Sequence, residues 1–183
     1  MFVPEVRHFV PTISIVGDDF CYPYLVDLVV KKNTGFLGTH IDVLDDNGIL
    51  LLQVDGSFWH LKKKRTMHNS IGLPIITMRR KGETSDDSDL LYTIQKTRCF
   101  QLKTELKVFL ASNLTGEICD FRVIGSYVSH SCKVYKGDTL ITEVKERFKL
   151  ESLRKERFEA RIYPGVDYAF IMSLLVILNE IDS

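Results

Sequence analysis

The chain has 183 residues and a mass of 21.0 kDa. A single domain of that size buries about 70% of the surface its unfolded chain exposes, so it needs no disulfide or metal staple. Hydrophobic residues make up 45% and charged residues 26%, with Lys+Arg and Asp+Glu equal at 24 each; this excludes a disordered chain, and a net charge of zero argues against a dedicated DNA-binding surface.

The N-terminal stretch "MFVPEVRHFVPTISIVGDD" has no apolar run after a basic start, so it does not read as a secretory leader. It reads as a partly flexible extension over 1–19, ahead of one domain spanning 20–183. The cysteines Cys21, Cys99, Cys119 and Cys132 show no C-x-x-C spacing. Free thiols in a reducing compartment follow, and the expected location is the cytoplasm, with a membrane surface or the nucleus as further stations.

From residue 27 onward, strand signals dominate. "DLVVKK", "HIDVLDDNGILLLQVDGSFWHL", "LLYTIQK", "LKVFLASNLTGEICDFRVIGSYV", "SCKVYKGDTLITEVK" and "RFEARIYP" are short β-branched, aliphatic and aromatic runs broken by Gly, Asn and Asp. "DDNG" at 45–48 and "YKGD" at 135–138 predict hairpin turns, because Asn and Gly tolerate positive φ. Three matches recur in the same order at nearly the same offset: "LVVKKN" with "YTIQKT", "VDGSF" with "VIGSY", and "IITMRR" with "LITEVK". The pattern predicts two pseudo-repeats, 25–81 and 90–163, of five or six antiparallel strands each, which would close into a barrel of about a dozen strands or pack as a sandwich.

The last element is "VDYAFIMSLLVILNEI", Val166 to Ile181, apolar on every face. Such a helix lies in a protein core or in a bilayer. It would be about 24 Å long, short of the ~30 Å hydrocarbon core, and no basic anchors flank it. A wide barrel needs this kind of filling. The expectation is therefore a buried core helix over 166–181 with no transmembrane span, and Asp167 is well placed at its positive N-terminal end.

No enzyme constellation stands out: there is no G-x-S-x-G, no H-E-x-x-H and no phosphate-cradling glycine loop. His8, His40, His60, His68 and His130 are scattered, so no metal, cofactor or catalytic residue is expected. One window is asymmetric. From Gly56 to Gly82 there is no acidic residue, while Lys62, Lys63, Lys64, Arg65, Arg79, Arg80 and Lys81 form two basic clusters at the ends of the fourth and fifth strands. Clusters of this kind attract anionic lipid, and "KKKR" also has the shape of a nuclear-import signal.

The order of "CDFRVIGSYVSHSCKVYKG" and "YPGVDYAFIMSLLVILNEI", with "FCYPYLVDLVVKK", "VDGSF", "GLPIITMRRK" and "LKVFLASN", resembles the plant LURP-one-related family. That family is similar in turn to the tubby C-terminal domain and the phospholipid scramblases. The resemblance implies a mainly β, tubby-like, closed or nearly closed antiparallel barrel of about 11–12 strands around a buried hydrophobic C-terminal helix. It also implies a plant protein of ill-defined biochemical role, with relatives discussed as membrane-tethered transcription factors, lipid binders and defence-response proteins. Taken with the basic clusters, the expectation is a non-catalytic module that binds an anionic headgroup, of the phosphoinositide class, through 62–65 and 79–81. The alternative is a protein-interaction or transcription-linked adaptor without lipid binding. Either reading expects a monomer with an unidentified protein partner and no direct DNA contact. Relatives carry one further strand after the "ITMRRK" segment, where Lys81 here runs straight into Gly82. An open seam is expected at that point.

Overall fold

Alternation of buried and exposed positions, the period of a half-buried strand, runs through most of the chain. The computed structural model describes residues 11–35, 38–54, 64–79, 89–97, 103–126, 131–145 and 155–182. The strands are β1 (Val26–Gly35), β2 (Gly38–Leu44), β3 (Leu50–Val54), β4 (Lys64–Asn69), β5 (Pro74–Arg79), β6 (Tyr92–Thr97), β7 (Thr104–Leu110), β8 (Phe121–Ser126), β9 (Ser131–Lys136), β10 (Thr139–Lys145) and β11 (Lys155–Ile162), followed by one helix, α1 (Tyr168–Asp182). In β7 and β8 the period is plain: Thr104, Leu106 and Val108, then Phe121, Val123 and Gly125, are buried, and their neighbours face outward. The turns at 45–48 and 135–138 form as expected, with Gly48 at φ 83 and Gly137 at φ 58.

All the ladders are antiparallel and belong to one eleven-stranded sheet, ordered β5-β4-β3-β2-β1-β11-β10-β9-β8-β7-β6. Two meanders, β1 to β5 and β6 to β10, are joined through β11, which pairs with both β10 and β1. Among the described residues β5 and β6 are the two ends of the sheet and no ladder joins them. The sheet is therefore strongly curved but not closed by hydrogen bonds. The gap falls where the sequence places a seam.

The sheet curves because it wraps α1. Phe170, Ile171, Met172, Leu174 and Leu178 are each 1% exposed or less. From one side Val30, Ile41, Val54, Met67 and Phe158 line a small apolar cavity with Met172, Leu175 and Val176. From the other side the rings of Tyr92 and Phe121 meet Phe170 at 5.3 and 5.0 Å. A helix surrounded by sheet has no solvated face, which is why its sequence is apolar all round. Its 15 residues span about 22 Å. Among the described residues no helix is long and apolar enough to cross a membrane.

Asp167 starts the helix and does more than cap it. One carboxylate oxygen, Oδ1, accepts from Phe170 N–H at 2.9 Å, while Oδ2 accepts from the backbone N–H groups of Ile15, Val16 and Gly17 at 3.0, 2.7 and 3.2 Å. Ile13 also bridges to Val166 and, with Ile15 and Val16, packs on the core. Within the extension expected over 1–19, Ile13 to Gly17 thus pack on the domain, and the buried carboxylate takes its donors from Ile15, Val16 and Gly17. Residues 1–10 lie outside the described residues.

Candidate functional site

β4 reads Lys-Arg-Thr-Met-His-Asn, and the pleat sends successive side chains to opposite faces. Lys64 and Thr66 point outward, and Arg65 and Met67 point in. The β4–β5 register sets Lys64 opposite Arg79, Arg65 opposite Met78 and Thr66 opposite Thr77. Lys64 and Arg79 are both exposed. Beside them the Thr66 and Thr77 hydroxyls lie 3.3 Å apart on the same outer face. Two cations directly opposite each other on a sheet destabilise the ladder, and an anion bound between them would relieve that cost.

Arg65 does not join this pair. It is 3% exposed, its Nη1 donates to the Thr39 carbonyl at 2.6 Å, and its Nη2 donates to Glu180 Oε1 at 2.7 Å. The expectation that Arg65 belongs to an outward basic cluster is corrected for this reason. It ties the sheet to the last turn of α1, where a cation also meets the negative end of the helix. Of the other residues in the two clusters, Lys62, Lys63, Arg80 and Lys81 lie outside the described residues. Lys64, from the first cluster, and Arg79, from the second, are cross-strand partners.

The ion pair went unrecognised in the sequence, although a signal for it exists. Glu180 is a carboxylate at the end of an otherwise apolar helix, and a largely buried carboxylate requires a cation. Its partner is 115 residues away, which no local pattern can show.

Tyr92 and Ser173 form a short hydrogen-bonded chain against the helix. The Tyr92 hydroxyl lies 2.5 Å from Ser173 Oγ, and Ser173 Oγ donates to the Phe170 carbonyl at 2.6 Å. Burial pushes the Tyr92 phenol well above its usual range, so it stays neutral. Burial and the nearby Asp167 carboxylate raise the Cys21 thiol to about 11, which leaves it a poor nucleophile near neutral pH. Among the described residues no group of three His, Cys, Asp or Glu side chains could hold a metal ion.

A family model described as LURP-one-related matches residues 26–179, the span from β1 through most of α1. The chain belongs to the LURP-one-related family. Protein LURP-one-related 14 of Arabidopsis thaliana is 39% identical over 186 residues, covering 93% of this chain and 91% of the relative. Protein LURP-one-related 15 of the same plant is 36% identical, covering 92% and 85%. An X-ray structure of an Arabidopsis thaliana protein superposes with a TM-score of 0.72 at 33% identity, covering 92% of this chain and 98% of that one. The curved sheet around a C-terminal helix is thus the fold of a LURP-one-related domain. The matched span contains Lys64, Arg65 and Arg79, and stops one residue short of Glu180.

Proposed function

We propose that this LURP-one-related domain is a non-catalytic module that binds an anionic lipid headgroup, of the phosphoinositide class, through the end carrying Lys64 and Arg79. The observation that carries the reading is the placing of these two exposed cations as direct cross-strand partners on one outer face. Lys62, Lys63, Arg80 and Lys81 adjoin them in sequence. Each Lys or Arg near an anionic surface is worth about 1 kcal/mol, so a handful is enough for reversible attachment. The similarity of the family to tubby domains and scramblases supports the same reading, as does its association with plant defence.

The test is flotation with phosphoinositide-containing vesicles at low salt. Lys64→Ala/Arg79→Ala should float several-fold less than wild type, and raised salt should mimic the change, because exposed charges are screened within ~10 Å at 0.1 M. Equal flotation of variant and wild type would remove the pair from the account. Nuclear accumulation that depends on 62–65, with no flotation at any salt, would favour the adaptor reading instead.

A further inference from the structure

Strand direction sorts the loops to two ends. Val26 pairs with Ile162, Leu44 with Leu50, Thr139 with Lys136, and Tyr92 with Leu110. The tips β2–β3, β4–β5, β7–β8 and β9–β10 and the entries to β1 and β6 therefore lie at one end, and Lys64 and Arg79 at the other. On the strands the exposed outward positions are polar, as at Lys31, Thr77, Thr93 and Lys133.

Every exposed large hydrophobic residue among those described lies at the tip end. Ile49 is 60% exposed, Ile71 78%, Leu73 57%, Leu114 93%, Ile118 80% and Tyr24 58%, with further leucines at the entries to β1 and β6. Aliphatic side chains left in water at successive turn tips contribute nothing to this fold. Gathered on one rim, they mark a contact surface. The rim is also acidic, since Asp18, Asp19, Asp46, Asp89, Glu117 and Asp138 are exposed there. Among the described residues the cations near it include Arg122, its cross-strand partner Lys107, Arg161 and Lys136. Arg122 is bridged to Asp138 at 3.7 Å and Arg161 to Asp27 at 2.8 Å.

We infer that this rim docks a partner protein through a basic amphipathic segment, one in which Lys or Arg side chains alternate with large apolar ones. Charge complementarity selects that occupant. Apolar tips set among carboxylates are repelled by an anionic bilayer and by nucleic acid, and are attracted to an apolar surface edged with cations. The rim is a strand length, about 23 Å for seven residues, from the basic end. Both ends can therefore be engaged at once.

The test uses the full chain and a fluorescein-labelled peptide of Leu and Lys, with Leu at helical i, i+3, i+4 spacing, read by fluorescence anisotropy. A Leu/Glu peptide of the same pattern is the control. The expected result is saturable binding of the Leu/Lys peptide that weakens with salt. It should also weaken at least about tenfold in Ile71→Ser/Leu73→Ser/Leu114→Ser and in Asp46→Asn/Asp89→Asn/Glu117→Gln. Lys64→Ala/Arg79→Ala should bind as wild type does. The substituted side chains are exposed, so unchanged thermal unfolding should accompany the loss. No binding of the Leu/Lys peptide, equal binding of the Leu/Glu peptide, or wild-type affinity in the rim variants would overturn the inference. So would rim-dependent flotation with neutral phosphatidylcholine vesicles, or rim-dependent dimerisation seen by light scattering, since each names a different occupant.

Discussion

At the scale of single residues, Arg65 shows how one side chain can change meaning with its direction. Removing one partner of a buried ion pair leaves a charge without its counter-ion, which costs about 3–5 kcal/mol, whereas replacing both by apolar groups of similar volume is often neutral. Arg65→Ala should therefore lower the urea midpoint strongly, and Arg65→Met/Glu180→Leu should recover most of it. A single variant as stable as wild type would show that the pair carries no such energy. Cys21 offers a pH test. Its thiol is raised from 9.0 to about 11, so the folded state holds the proton more tightly than the unfolded chain. The stability from this group is full below pH 9 and is lost between pH 9 and about 11. At pH 8 iodoacetamide should modify Cys21 about a hundredfold more slowly in the native protein than in urea, since only the thiolate reacts. Equal rates, read by peptide mass mapping, would contradict the burial of this thiol beside Asp167.

At the scale of elements, α1 is both the core and the anchor for the N-terminal segment. Leu174 is 0% exposed, and a carboxylate placed there would be buried without a cation. Leu174→Asp should abolish soluble folding, while Leu174→Met should cost less than about 1.5 kcal/mol. A chain lacking 166–183 should fail to fold for the same reason, because the inner faces of the strands lose the surface they pack on. A stable, folded domain after that deletion would reverse the assignment of α1 as core. Asp167 couples two elements, since its carboxylate serves both the first turn of α1 and the amides of Ile15, Val16 and Gly17. Asp167→Ala should release residues 13–19 to protease as well as destabilise the helix. Protection of that segment in the variant would show that side-chain packing alone holds it.

At the scale of the whole molecule, the sheet is wrapped, and among the described residues no ladder joins β5 to β6. A strand at an edge has every second amide without a ladder partner, and such amides exchange quickly. Amide exchange should be slow in β1, β10 and β11, which have neighbours on both sides, and fast at alternate amides of 74–79 and 92–97. Uniform protection of all strands would show closure of the barrel in solution. Among the described residues charge is also divided along the molecule: exposed carboxylates and apolar tips gather at one rim, and the Lys64–Arg79 pair lies at the other end. The even overall count of 24 and 24 conceals this division.

How much of this was legible before the fold was known follows from the range of each interaction. The strands, the turns at 45–48 and 135–138, the all-apolar helix and the role of Asp167 at its start come from period, turn chemistry and capping, each contained within a few neighbouring residues. The expectation of an open seam after β5 rests on the family resemblance, in which relatives carry one further strand after the "ITMRRK" segment. What only the tertiary structure decided depends on contacts between distant segments. Arg65 faces inward because β4 is pleated between β3 and β5, and it meets Glu180 from 115 residues away. The N-terminal segment docks because Asp167, 152 residues from Ile15, offers an oxygen to three backbone amides. The apolar rim exists because antiparallel pairing carries tips from separate hairpins to the same end, an adjacency set by register and sheet order and by no local pattern.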